Sequence, residues 1–404
     1  MNPSSSSTIL SGVQMAPKDP ILGVTETFNA DKNPLKVNLG VGVYYDDHGK
    51  VPLLECVKRA EAQIAQSPTP RSYLPIDGLA AYDSSVRDLV FGPGSQPVAE
   101  GRVVTVQALG GTGALKLGAD LLRRLSPSAQ VWISDPSWEN HQALFEGAGF
   151  TVNNYPYYQP ASRDVDFPAM RATLESLESG AIVVLHACCH NPTGVDLTEE
   201  QWSRVIQVVV GRRLIPFVDI AYQGFGGGID ADGKVVREFA AAGIPVFVSN
   251  SFSKSFSLYG ERVGALSVVA ADKDEAARVL SQLKRTIRTN YSNPPTHGGR
   301  IVATVLSTPE LRRLWESELA QMRDRIREMR QQLAAQLKAK VPGQDFNFVI
   351  KQRGMFSYTG LSMDAVTRLR EKFSVYVIDS GRICVAALNS RNLGHVVEAI
   401  AAVS

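Results

Sequence analysis

The apolar and polar positions of the chain fall into two regimes. From about residue 50 to residue 300, short runs rich in Val, Ile and Phe alternate with stretches of helical spacing. That alternation marks βαβ units, in which a mostly parallel sheet is covered by helices on both faces and its strands are apolar throughout. The runs predict strands at Val103–Gln107, Val131–Asp135, Ala181–Ala187, Ile215–Asp219, Val246–Asn250 and Val263–Val269. Polar residues gather at the ends of these runs, and open α/β sheets bind ligands at the carboxyl ends of their strands.

The second regime is a long helix followed by a smaller α+β region. Thr308 is expected as the N-cap, Pro309 as the first helical residue and Glu310 in the first turn, positions that favour each residue type. Leu311, Leu314, Leu319, Met322, Ile326, Met329, Leu333 and Leu337 recur at steps of three to five, giving one apolar stripe down to Val341, and Pro342-Gly343 ends the helix. Beyond it the pattern predicts strands at Met355–Thr359, Val375–Ile378 and Arg382–Ala387, with helices near Met363–Lys372 and Asn392–Val403. A chain of 404 residues fits two packed domains, since single cores stop growing near about 250 to 300 residues.

Composition narrows the partners. Lys plus Arg number 42 against 40 Asp plus Glu, a formal charge of +2, so no strong field argues for nucleic acid or an anionic membrane, and a small molecule is the expected ligand. Four cysteines are too few and too scattered for a disulfide framework and suit a reducing compartment. Cys188-Cys189-His190 is not expected to bind metal, because adjacent cysteines on an extended chain point to opposite faces. No stretch of about 18 uninterrupted apolar residues occurs, so no membrane helix is expected. Residues 1–16 lack the apolar run of a secretory leader and the arginines of a mitochondrial one, which makes cytoplasmic the expected location.

Four segments carry candidate chemistry. In 248–264, Lys254 follows an apolar strand among Ser251, Ser253 and Ser255, with Arg262 shortly after. A strand-end lysine is poised in the ligand crevice, and desolvation or a neighbouring cation lowers its pKa, so Lys254 could serve as imine partner and base while the serines and Arg262 suit a phosphate. Asp219 ends another apolar run, with Tyr222 three residues on. A carboxylate there needs a cation, and the protonated pyridine of pyridoxal 5'-phosphate supplies one, with Tyr222 free to bond the ring's phenolic oxygen. Asn191-Pro192-Thr193-Gly194 follows a third run and reads as a tight turn whose Asn191 amide can donate to the same oxygen. Gly110-Gly111-Thr112-Gly113 follows a fourth and opens a helix whose free amides would face an anion, although it matches neither the dinucleotide fingerprint nor a P-loop. Each segment alone has a plainer reading: a surface lysine, a helix cap, a bare turn, a glycine-rich corner.

Together the segments resemble the class I aminotransferases, fold-type I pyridoxal-phosphate enzymes, in their aspartate and aromatic amino acid branch. The likeness runs from about Asp19 to the end, and its most specific pieces are Ser251–Lys254 with Arg262, Asn191–Gly194, Asp219 with Tyr222, and Gly381-Arg382. The resemblance implies a mostly parallel seven-stranded sheet in a large cofactor domain, 49–315, a small domain built from 19–48 and 316–404, and a flexible arm at 1–18. It implies Lys254 as the lysine joined to the cofactor, Asp219 on the pyridine nitrogen, Tyr222 and Asn191 on the phenolic oxygen, and Gly111, Thr112, Ser251, Ser253 and Arg262 around the phosphate. Trp138 resembles the residue that stacks on the ring, and His141 the one that supports Asp219. Arg382, with Asn191, would take the substrate α-carboxylate, and Gly42 would line the substrate side. Tyr73 and Arg288 resemble residues that reach the neighbouring subunit's site, which implies a homodimer.

The expected activity is transfer of amino groups between aromatic or dicarboxylic amino acids and 2-oxo acids, without a metal. The wording around Lys254, with Tyr45, looks closer to the aromatic branch, whereas Thr112 and Asn293 look closer to the aspartate branch. A strict aspartate aminotransferase is the nearest alternative. A remote one is a serine acyl enzyme of the β-lactamase type, from Ser251-x-x-Lys254 and Tyr291-Ser292-Asn293, but no Lys-Thr-Gly occurs to complete it.

Overall fold

A computed structural model describes residues 8–16 and 22–404. Of the arm expected at 1–18, residues 8–16 form exposed turns and the rest lies outside the described residues. The centre is a seven-stranded sheet of β1 (Val103–Leu109), β2 (Val131–Asp135), β3 (Val152–Pro156), β4 (Ile182–His186), β5 (Ile215–Ile220), β6 (Val246–Ser251) and β7 (Val263–Val269), in the order β1-β7-β6-β5-β4-β2-β3. All pairings are parallel except those of β7, which runs against both β6 and β1.

Six of these strands match the expected runs. β3 was not expected, and its composition explains why: Val-Asn-Asn-Tyr-Pro is an edge strand with one buried residue, so it carries no apolar run. Inside the sheet the opposite holds, and every residue of β6 and β7 is buried. Successive residues there enter different cores: Val246 and Val248 pack on one side of the sheet, Phe247 on the other.

The helix Pro309–Lys340 begins as expected, with Thr308 in the N-cap position, but the Thr308 hydroxyl makes no capping bond. Its stripe is buried at Leu311, Leu319, Met322, Ile326, Met329, Leu333 and Leu337, with Leu314 partly buried, and the helix stops at the residue before Val341. The strand expected at Arg382–Ala387 ends at Cys384 and turns into a 3-10 segment at Val385–Ala387, because its partner, Phe356–Tyr358, offers only three residues to pair with. A short strand at Val37–Asn38 pairs in parallel with Val375–Tyr376, tying the start of the chain to its end. No helix among the described residues is long and apolar enough to cross a membrane.

Candidate active site

The sheet brings six strand ends to one edge, five of them beside the site. β1, β2, β4, β5 and β6 all terminate there, and the reversal of β7 makes the residue before it, Arg262, start from the same edge. The loops leaving these ends line a cavity of about 250 Å3 that includes Gly42, Gly111, Thr112, Trp138, Asn191, Asp219, Tyr222, Ser251, Ser253, Lys254, Arg262 and Arg382.

Asp219 is buried at the end of β5, and His141 Nε2 lies 3.1 Å from its Oδ2. Ser137 Oγ in turn lies 3.0 Å from His141 Nδ1, fixing the ring. Burial alone would raise the Asp219 carboxyl, but the His141 bond and the nearby positive charges, Lys254 among them, outweigh it and hold the group below its ordinary value. Its second oxygen, Oδ1, is buried without a partner. An ionised carboxylate with one idle oxygen is a place for a cation, and a protonated pyridine nitrogen fits it.

Lys254 Nζ lies 4.8 Å from the centroid of the Tyr222 ring. Burial pushes its ammonium down to about 8; Arg262 and Arg382 add to the fall and Asp219 opposes it. Burial also drives the Tyr222 phenol well up, so it stays a neutral donor. Arg382, 1 % exposed, donates to Asn191 Oδ1 at 3.1 Å and to Gly40 O at 2.7 Å, and its buried Nε has no partner. Because the Asn191 oxygen faces Arg382, its amide nitrogen is turned the other way and remains available to donate. The guanidinium also stacks 4.3 Å from the centre of the Phe356 ring.

The end of the cavity suited to a phosphate is lined by backbone, hydroxyls and Arg262. Helix Gly110–Leu125 opens directly from β1 with no side-chain cap, leaving its first amides free. Gly110 takes φ +67°, and a Cβ there would lie 2.6 Å from Arg262 Nη2, so only glycine lets the arginine cross this turn. Arg262 Nη1 donates to Ser253 Oγ at 3.3 Å and to Tyr259 O at 3.1 Å.

Leu115, Ala221, Tyr259 and Phe356 also line the cavity and were not singled out, as do His186, which was given no role, and Cys188, which was expected only to be no metal ligand. Phe356 reads in sequence as one core residue of a strand; only the fold lays that strand across the cavity. His186 is pushed down to about 3 by burial and by His141, against the opposing pull of Asp219, and His190 falls well below its ordinary value mainly through burial, so both stay neutral. His190 packs on Tyr157 at 4.0 Å and bonds Ser134 and Thr193. Among the described residues no group of three or more His, Cys, Asp or Glu could hold a metal ion. Tyr73, 94 % exposed, and Arg288, also exposed, are not part of this cavity. They lie on neighbouring segments, joined by the bond from Asn293 Nδ2 to Leu74 O at 3.3 Å. Tyr291–Asn293 are likewise outside the cavity, so nothing there assembles a serine acyl enzyme around Ser251.

A seven-stranded, mostly parallel sheet with a buried lysine, an ionised aspartate and an arginine at its carboxyl edge defines a fold-type I pyridoxal-phosphate enzyme. The family model for aminotransferase class I and II matches residues 34–400, and the chain belongs to that family. It is 60 % identical over 393 residues to an aspartate aminotransferase of Pseudomonas aeruginosa, covering 97 % of this chain and 99 % of the relative. It is 52 % identical over 386 residues to an aromatic-amino-acid aminotransferase of Escherichia coli, covering 95 % and 97 %. The crystal structure of an aromatic-amino-acid aminotransferase from Burkholderia pseudomallei, covalently bound to pyridoxal phosphate, superposes with a TM-score of 0.96 at 64 % identity, covering 98 % of this chain and 99 % of that one. The protein is a pyridoxal-phosphate-dependent aminotransferase.

Proposed function

We propose that it moves the amino group between aromatic or dicarboxylic L-amino acids and 2-oxo acids, with 2-oxoglutarate as acceptor, in a ping-pong sequence. The observation that carries this reading is the convergence on one cavity of Lys254, the idle Oδ1 of Asp219 and the idle Nε of Arg382. Relatives named for aspartate and for aromatic amino acids, at 60 % and 52 % identity, support a site that takes both kinds of side chain.

Pyridoxal phosphate, bound here, supplies an aldehyde that captures amino groups and a ring that withdraws electrons from the substrate α-carbon. Gly111, Thr112, Ser251, Ser253 and Arg262 would hold its phosphate, and Trp138 its ring face. Asp219 would hold a proton on the ring nitrogen, with His141 and Ser137 fixing the carboxylate. Tyr222 and the Asn191 amide would donate to the phenolic oxygen. Arg382 orients the substrate by pairing with its α-carboxylate through Nε and the guanidinium fork, which keeps the Cα proton within reach of Lys254. Lys254 Nζ, as a free amine, would take the proton from Cα and deliver it to the carbon that was the cofactor's aldehyde, a role its lowered pKa suits at neutral pH. Gly42 and Phe356 form the apolar wall on the substrate side.

The reading extends to a cytoplasmic homodimer with shared sites, in which Tyr73 would contact the partner's cofactor and Arg288 the partner substrate's side chain. It also divides the chain into an arm at 1–18, a large cofactor domain at 49–315 and a small domain from 19–48 and 316–404. Lys254→Ala should lose all but a trace of turnover, and residual activity above about a tenth of wild type would remove Lys254 from its role. The ratio of kcat/KM for aspartate and phenylalanine decides specificity: a preference for aspartate beyond about a thousandfold, roughly 4 kcal/mol, would leave a strict aspartate aminotransferase.

A further inference from the structure

A second cavity, of about 420 Å3, lies between the loop Phe225–Gly227, the middle of helix Pro309–Lys340 and the segment 350–354. Five basic side chains, Arg323, Arg327, Arg330, Lys351 and Arg353, line it, and no acidic one does. Arg323, Arg327 and Arg330 stand at i, i+4 and i+7, on one face of the helix, where like charges repel. Asp324 relieves part of this, meeting Arg323 Nε at 3.1 Å and Arg327 Nη1 at 3.3 Å.

The other carboxylates near the wall spend their hydrogen bonds on backbone amides, although the charge of buried Asp196 is felt by Arg330 and Arg353. Asp196 accepts the amides of Cys189 and His190, and Asp232 those of Gly224, Gly226 and Gly227. Arg330 is 2 % exposed; it donates to Val349 O at 2.9 Å, to Gly354 O at 2.8 Å and to Phe356 O, yet its buried Nε has no partner. An excess of cations around a partly open cavity, beside one buried donor left idle, is a place for an anion. Planar guanidinium forks match the paired oxygens of phosphate better than a spherical ion.

We propose that this cavity binds a small multiply charged oxyanion, inorganic phosphate or the phosphate of an organic monoester, and that the bound anion is felt at the substrate carboxylate site. The connection is short. Arg330 bonds Phe356 O, and the Phe356 ring lies against Arg382. Arg353 N donates to Gly194 O at 2.6 Å, in the turn that carries Asn191. An anion that draws Arg353 and Arg330 together stiffens 353–356, the segment that backs both groups, and so changes KM for the amino acid rather than kcat. The site stands without any role for Arg382; only the coupling rests on the function proposed above.

Calorimetric titration of the holoenzyme with inorganic phosphate, glycerol 3-phosphate and chloride at matched ionic strength tests the site. Arg327→Gln with Lys351→Gln removes two exposed cations of the wall, and Tm in phosphate-free buffer checks that the variant folds. Lys338→Gln, an exposed lysine on the same helix but outside the cavity, is the control. Saturable phosphate binding that weakens at least tenfold in the double variant and not in the control supports the site, and the tighter of the two phosphates names its source. If the double variant folds poorly, Lys351→Gln alone should weaken binding at least threefold. Phosphate binding as tight in these variants as in wild type, chloride binding equal to phosphate, or no saturable binding below about 10 mM overturns it. Phosphate should also shift KM in wild type and leave the double variant unmoved. An equal shift in both would assign the effect to competition at Arg382 and end the coupling, whereas inactive holoenzyme that still binds phosphate would count only against the proposed function.

Discussion

In the role proposed for Lys254, capture of the cofactor aldehyde requires a neutral amine, and the structure sets how much of it exists. With an ordinary pKa of 10.5, about one lysine in a thousand is neutral at pH 7.5. Burial first, then the charges of Arg262 and Arg382, lower the ammonium to about 8 against the pull of Asp219. At about pH 7.5 the neutral fraction is then about a quarter, roughly 240 times larger, equivalent to roughly 3 kcal/mol. The sign follows from the protonation: the amine is lost to its ammonium as pH falls below about 8, and little is gained above it. The rate constant for pyridoxal phosphate joining the apoenzyme should therefore rise about tenfold per pH unit below about 8 and level off above, where a lysine of ordinary pKa would keep climbing. Stopped-flow absorbance between about pH 6.5 and 9.5, with borohydride trapping and peptide mapping to Lys254, measures it. Arg262→Gln, assayed with pyridoxal so that no phosphate contact is involved, removes a charge that lowers the pKa and should move the inflection upward. A rate still climbing at about pH 9.5, or an inflection that moves down in Arg262→Gln, would refute the reasoning.

Arg382→Lys keeps the charge but loses the fork and its bonds to Asn191 and Gly40, so kcat/KM should fall roughly 100-fold, about 3 kcal/mol, by the same factor for aspartate and phenylalanine; a loss confined to one substrate would contradict an α-carboxylate role. Gly42→Ala puts a methyl 2.7 Å from Phe356 Cζ, so the ring must shift against Arg382 and kcat/KM should drop by about 1 to 3 kcal/mol, with partial recovery in Gly42→Ala/Phe356→Leu. Lys254→Ala and Arg288→Ala chains, mixed and reassembled, should regain about a quarter of wild-type activity toward dicarboxylates, since hybrid dimers would hold one site with both residues intact; no recovery would place Arg288 in its own subunit's site.

The residues proposed to hold the cofactor were legible because most of them sit at the end of an apolar run. β5 and β6 are buried on both faces, so the first polar residues after or within their last turn, Asp219 and the serines before Lys254, stand out against hydrophobic sequence. The contacts that make the site work were not legible. Asn191 and Arg382 meet across 191 residues of chain, and no spacing rule announces that the oxygen of one faces the guanidinium of the other. Phe356 was hidden for a different reason: an apolar residue in a short strand looks the same whether it faces a core or a substrate. Tyr73 and Arg288 were visible only through the family resemblance, because in the single chain they are exposed and the groups they would serve would belong to another copy.

Strand direction was the deepest gap. An apolar run carries no sign, and the run Val263–Val269 looks like any other strand of the sheet, yet it alone runs backwards. The reversal has a consequence for the chemistry. β6 and β7 are joined by the short segment 252–262, too brief for a helical crossover, so the chain must turn at the carboxyl edge and start β7 from the place where β6 ended. That turn holds Lys254 and returns Arg262 to the edge where Gly110-Gly111 opens its helix, 2.6 Å from where a side chain at Gly110 would begin. The antiparallel strand is thus what puts the amine and the arginine proposed to hold the phosphate on one loop, at a distance fixed by sheet geometry rather than by a flexible connection.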